Sequence, residues 1–374
     1  MAVMSGLSGN EMYCLHLKGL KPGDLVIGNS VYSLGVVGGI GALGKTLAGG
    51  EVTQITEIIH EGRHQAYDRM VAEAEARGGV GITGVSNELC HLQGNIEFLS
   101  VASCVHREDE RPEKIEFSTS ANAQELYCQV DAGYHPRKFA FGNIAYSIGV
   151  SGGLLGTLKG LGRGEIKEFS DTFNSTRHVC LQRLRREALS VGANAVVGIE
   201  TLVMPFQGVH EMVMIGTASH NDQLPSEHDQ DPITSDLTNE EMWNLTAMGY
   251  MPLKLVMGTA VYSLGVVGGL TSALKSFKRG EISELTTLIY DAREHAIGLI
   301  QDEASAIGAD DVVGIRTMVH EMGNLIEFMA IGTAIKKHDG LKTATPQLPP
   351  QAIIRDKDTW ISTDTLMMAL GQEK

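Results

Sequence analysis

A ten-residue string, SVYSLGVVGG at residues 30–39, returns at residues 260–269 with only its first residue changed, and again as IAYSIGVSGG at residues 144–153. The chain is one unit written three times, so its fold must be something a triplicated module can build. The register holds well beyond the string: Tyr32, Tyr146 and Tyr262 stand 114 and 116 residues apart, and Arg63, Arg177 and Arg293 each follow their tyrosine by 31 residues. The copies run over residues 11–106, 125–220 and 241–336, leaving 337–374 as a proline-containing tail with a short C-terminal helix. A unit of roughly 95 residues lies at the small end for a domain. It buries a smaller share of its surface than a large domain does, so packing against copies of itself is expected.

The charge balance narrows the partners. With 45 acidic against 30 basic residues, the net charge of −15 disfavours nucleic acid and anionic membrane surfaces. Five cysteines (Cys14, Cys90, Cys104, Cys128 and Cys180) show neither repeat pairing nor a Cys-x-x-Cys spacing, and the third copy has none. That pattern predicts reduced thiols in a cytoplasm, without a disulfide framework or a thiolate zinc site. The N-terminal residues lack the basic start and apolar core of a signal peptide. Residues 25–44, 139–158 and 255–274 are uncharged over the length of a membrane-spanning helix, but their glycine content argues against insertion.

Each copy reads the same way. A short polar-capped helix begins near Asn10, Ala123 and Thr238 and stops at Gly19, Gly133 and Gly249, each with a proline three residues on. A run rich in β-branched and aromatic residues follows, as at 253–264, and then the paired glycines Gly38–Gly39, Gly152–Gly153 and Gly268–Gly269, which predict a tight turn or close subunit approach. After Gly50, Gly164 and Gly280 the glutamates Glu51, Glu165 and Glu281 are expected to open a long helix, whose apolar stripe in the third copy is Ile282, Leu285, Ile289, Ala292, Ala296, Ile300 and Ile307. Two more strands close the unit. The fold class is α+β: three tandem β-α-β-β domains, each a long helix packed on a small sheet.

Several of these residues together resemble a known family. VYSLGVVGG, the Gly-Glu pair before the helix, Ala292 and Arg293 in mid-helix, IGADDVVGI at 307–315 and IGTA at 331–334 look like the YbjQ family. The resemblance covers most of each copy. It is closest in the second and third, while the first departs with GGVGITG at 78–84 and ASC at 102–104. It implies small α+β domains that assemble as ring-shaped pentamers, and a heavy-metal-binding label without an established reaction. Three copies do not tile a ring of five, so the expectation is five chains forming three stacked rings, each ring made of one copy type. The charged linkers at 107–120 and 221–237, able to span on the order of 40 Å, would step between layers. In the tail, residues 361–371 echo the opening of a unit, which reads as a docking helix for a neighbour or an unidentified protein partner, or as the remnant of a fourth copy.

Two motifs suggest chemistry. Residues 39–46, GIGALGKT, satisfy the phosphate-loop spacing, but the other copies keep only Lys159 and Lys275 and lose the second glycine. His60-Glu61-Gly62-Arg63-His64 matches the helical zinc-protease pattern, making His60 and His64 the candidate ligands for a transition metal, in the first copy alone. Polar residues present in every copy carry more weight, because a copy-specific accident cannot produce them. These are the three tyrosines and three arginines above, Ser33, Ser147 and Ser263, Glu51, Glu165 and Glu281, Glu73, Glu187 and Glu303, and Glu97, Glu211 and Glu327. Satisfied core tyrosines and ion pairs between domains are the structural reading, and a repeated anion or metal site is the functional one. No nucleophile, base and orienting group recur together. The sequence therefore reads as a non-catalytic, self-assembling binding or scaffold protein of the cytoplasm with no demonstrable cofactor. The alternatives are a heavy-metal-binding protein and, behind it, a hydrolase using His60 and His64 or the loop at 39–46.

Overall fold

The computed structural model describes residues 2–33, 50–92, 95–108, 110–147, 164–206, 209–263, 283–322 and 325–354. The first copy contains α1 (Gly9–Leu17), β1 (Leu20–Ser33), β2 (Gly50–Glu51), α2 (Thr53–Ala76), β3 (Gly81–Leu92) and β4 (Asn95–Arg107), followed by the linker strand β5 (Phe117–Ser118). The second repeats the order as α3 (Ala123–Asp131), β6 (His135–Ser147), β7 (Gly164–Glu165), α4 (Lys167–Ser190), β8 (Ala195–Phe206) and β9 (Val209–His220), with linker strand β10 (Ile233–Thr234). The third contains α5 (Asn239–Ala247), β11 (Tyr250–Ser263), α6 (Ser283–Ala306), β12 (Asp311–Met322) and β13 (Leu325–Lys337), and a short α7 (Pro350–Ile353) lies in the tail. The paired glycines, the loop at 39–46, Glu281 and the tail segment 361–371 lie outside the described residues.

Local chemistry accounts for the short helices. Ser8, Asn122 and Thr238 each accept a backbone N–H of the first turn, while Glu11, Glu125 and Glu241 reach back to the cap, a reciprocal capping box in all three copies. The chain then leaves each helix through a glycine at positive φ: 72° at Gly19, 89° at Gly133 and 74° at Gly249. On the long helices the sequence reading needs correction. Glu51 and Glu165 do not open them; they are strand residues, and the helices start at Thr53 and Lys167. Their backbone is drawn to the next copy, where Glu51 pairs with Tyr146 and Glu165 with Tyr262.

In each copy the three long strands form an antiparallel sheet with the last strand at its centre, in the order β1-β4-β3, β6-β9-β8 and β11-β13-β12. The long helix covers one face. It approaches so closely that a Cβ on Gly28, Gly142 or Gly258 would come within 2.1–2.4 Å of the helix carbonyls of Ala66, Cys180 and Ala296. Each linker adds a parallel strand to the copy it leaves, β5 beside β3 and β10 beside β8. Linkers folded onto a sheet in this way are not free spacers between layers.

Successive copies lie side by side. β2 extends the sheet of the second copy and β7 that of the third. One-copy-type rings would require these edges to be taken by the same copy of another chain; here the preceding copy of the same chain takes two of the three. The short helices also converge, on buried Asp131. Its carboxylate accepts Lys18 Nζ of the first copy (2.8 Å), Trp243 Nε1 of the third (2.8 Å) and Thr345 Oγ1 of the tail (2.7 Å). The segments that raised a membrane reading begin as strands, and among the described residues no helix is long and apolar enough to cross a membrane.

Candidate functional site at the junctions between copies

The long helix of one copy packs against the outer sheet face of the next, and backbone hydrogen bonds fix the register. At the first junction Val52 N donates to Ala145 O (2.8 Å), Ala145 N donates to Thr56 Oγ1 (2.9 Å) and Asn143 Nδ2 donates to Thr56 O (3.2 Å). The second junction repeats this pattern: Ile166 N to Val261 O (2.8 Å), Val261 N to Ser170 Oγ (2.9 Å), and a two-way bond between Asn174 and the Thr259 backbone (2.8 Å each). Apolar side chains fill the space between. Tyr67 and Met70 share a core with Phe139, Phe141, Val213 and Ile215, and Phe173, Leu181 and Leu184 share one with Leu255, Met257, Met329 and Ile331.

Most of the polar residues common to all copies meet here. Arg63 binds Glu211 through Nη2 (3.0 Å) and Arg177 binds Glu327 through Nη2 (2.5 Å), and all four side chains are buried. Charges removed from water this way are tolerated because each faces its counter-charge. Tyr146 is buried and its hydroxyl accepts Arg177 Nη2 at 2.7 Å. Tyr32 and Tyr262 are half-buried and pack edge-on against Phe98 and Phe328. Glu51 accepts Arg183 Nη2 at 2.8 Å, and Glu165 lies 3.4 Å from His295 Nδ1. Arg293 and Glu97 are not brought together: Arg293 is exposed, and Glu97 accepts only Asn29 Nδ2, at 2.9 Å, among the described residues.

A second ionic group recurs beside the arginines. His64 Nδ1 donates to His60 O (3.0 Å) and His64 Nε2 to Glu187 (3.2 Å); His178 does the same with Asn174 O (2.7 Å) and Glu303 (3.2 Å). Both ring nitrogens of each histidine face acceptors, which requires the imidazolium form. Burial pulls the His64 pKa down, but the hydrogen bond and charge of Glu187 outweigh it and hold the pKa above the ordinary histidine value. The Glu303 hydrogen bond does likewise for His178. Lys138 and Lys254 complete the groups, at 2.8 Å from Glu187 and 2.6 Å from Glu303. Burial opposes the charge on Glu303, yet the bonds from His178, Lys254 and Met257 N bring its pKa down to about 2.

This geometry bears directly on the His60 and His64 pair. The rings are adjacent, with centroids 4.3 Å apart, but His64 has no lone pair left for a metal. His60 is different: burial and the neighbouring His64 charge lower its pKa, and the ring sits beside a cavity of about 430 Å³ that Phe141, Asn143 and Arg186 also line. Among the described residues no three His, Cys, Asp or Glu side chains are grouped to hold a metal ion. The cysteine thiols are unpaired, and burial pushes those of Cys14 and Cys104 up to about 11 and that of Cys180 to about 12. They are not activated nucleophiles.

Each of the three copies has counterparts in sequence among known proteins. The YbjQ family model, described as "Putative heavy-metal-binding", matches residues 20–103, 134–221 and 246–338. The chain belongs to the YbjQ family. An encapsulin nanocompartment protein of Mycobacterium tuberculosis is 32% identical over 226 residues, covering 57% of this chain and 84% of that protein. UPF0145 proteins of Thermoplasma acidophilum and Thermosipho africanus are 36% and 39% identical over 85 residues, 22% of this chain and 71% and 79% of their own lengths. The close approach of helix to sheet within each copy escaped the sequence reading although a signal was present: Gly28, Gly142 and Gly258 sit at matching positions in the three copies. Lys138 and Lys254 were harder to find, because the first copy has Asp24 at that place.

Proposed function

We propose that this chain is a non-catalytic, self-assembling binding or scaffold protein whose YbjQ units join through one repeated junction. The observation that carries this reading is the use of the shared polar residues: at both internal junctions the buried arginine and glutamate neutralise each other across two copies. Groups committed to a buried ion pair hold units together rather than turn over a substrate. The name of the mycobacterial relative, a nanocompartment protein, is that of an assembly and supports the same direction. The family resemblance adds five-fold character to the expected homo-oligomer. Native mass spectrometry and light scattering test it: a discrete homo-oligomer is expected, and a strict monomer at all concentrations overturns the reading.

The second reading is heavy-metal binding, favoured by the family description and by the His60 ring at the edge of the cavity, whose lowered pKa favours the metal-binding neutral form. It requires stoichiometric zinc, copper or nickel in untagged protein, lost on His60→Ala. Metal-free protein that takes up none of these ions removes it.

A further inference from the structure

The ends of the row of copies carry the two unmatched halves of the junction. In the second and third copies the outer sheet face is covered by the preceding copy: Phe141 and Met257 are 2% exposed, and Ala145 and Val261 are fully buried. Their counterparts in the first copy, Ile27 and Val31, are 49% and 56% exposed. Burial along β4 alternates from residue to residue up to Val101, as expected of a sheet with one open face, whereas β9 and β13 are buried almost throughout. At the other end, α2 and α4 bury their arginines but α6 leaves Arg293 exposed and without a hydrogen bond or ion pair among the described residues. Tyr290, counterpart of His60 and Asn174, is 62% exposed.

We propose that the open face of α6, centred on Arg293, docks onto the open sheet face of the first copy in a second molecule of this chain, with Arg293 meeting Glu97 and joining chains head to tail. The proposal rests on the self-assembly reading and names the surfaces responsible. The occupant is a second copy because the two faces are counterparts of surfaces that already mate twice within each chain, and because their lone charges are opposite. Such a contact is heterologous and repeats until its rotation closes.

The junction between chains differs chemically from those within one. The place of His64 and His178 is taken by Glu294, and it would face Glu73, the counterpart of Glu187 and Glu303. Where those carboxylates have a lysine, the first copy has Asp24, and Arg77 bridges Asp24 (2.9 Å) and Glu73 (2.5 Å). A carboxylate meeting this already paired group makes the inter-chain junction weaker than its internal counterparts. The covalent order of copies thus selects against mispaired ones.

Two blocked variants test the proposal, each altered at a residue exposed in the single chain: Arg293→Glu on the helix face and Val31→Asp on the sheet face. By sedimentation velocity each should self-associate on the order of 100-fold more weakly than the natural chain. Mixed together they should form a 1:1 complex, because each supplies the half the other lacks. Glu294→His, restoring the residue type of the internal junctions, should tighten association about two- to five-fold. Variants that associate like the natural chain, or a mixture that yields no 1:1 complex, overturn the head-to-tail surface while leaving self-assembly by another face. A natural chain that is monomeric throughout overturns both.

Discussion

The two junctions inside the chain hold the same arginine and glutamate in different surroundings. At the first, every guanidinium nitrogen of Arg63 is used: Nε and Nη2 donate to Glu211, and Nη1 to the carbonyl and side-chain oxygens of Asn87. At the second, Arg177 Nη2 serves both Tyr146 and Glu327, while Nε, Nη1 and Glu327 Oε2 have no partner among the described residues. One substitution between copies accounts for the lost acceptor of Nη1. Where the first copy has Asn87 the second has Thr201, whose own hydroxyl is buried and unpartnered. In exchange the Arg177 guanidinium lies over the Tyr146 ring at 4.4 Å and near the Phe173 ring at 5.4 Å. An ion pair can therefore keep its place in a junction while its support shifts from hydrogen bonds to ring faces.

The largest effect should come from removing the glutamates. Glu327→Ala is expected to cost about 3–5 kcal/mol, because a buried guanidinium would keep only Tyr146 and the rings. Glu211→Ala should cost about 1.5–3 kcal/mol, since Asn87 still holds Arg63. Equal shifts in the two denaturant unfolding curves would show that Asn87 contributes nothing.

Thr201→Asn sharpens the comparison from the other side. It should give Arg177 Nη1 the acceptor that Asn87 gives Arg63 and raise stability by about 1 kcal/mol. A lower melting temperature would mean that the ring-stacked arrangement has no room for the amide.

The smallest effect is pH-dependent. His178 has its folded pKa raised above 6.5, so its contribution is full below pH 6.5 and is lost as pH rises through the folded value. Glu303 goes from 4.5 down to about 2, so its contribution is full above pH 4.5 and disappears as pH falls toward about 2. The stability difference between the natural chain and His178→Gln should therefore be greatest between about pH 4.5 and 6.5, at about 0.2–1 kcal/mol for this partly exposed pair. A difference that grows above pH 8 contradicts the imidazolium assignment.

The sequence by itself determined the three-fold repeat, the mixed helix and strand content and the capped short helices. Each is encoded in neighbouring residues: the Ser8 and Glu11 capping pair is three residues apart, and the α6 stripe follows helical periodicity. The sequence also identified Arg63, Arg177 and the matching glutamates as candidates, because they recur in register. Their pairing was decided only by the tertiary structure. Arg63 reaches Glu211 across 148 residues and Arg177 reaches Glu327 across 150, each into the next copy. No local pattern distinguishes that partner from the glutamate of the same copy. The Gly-Glu pairs of the first two copies were misread for the same reason: alone, Glu51 suits a helix start, but an unpaired strand edge in the second copy offers its backbone hydrogen bonds that only the assembled sheet can supply.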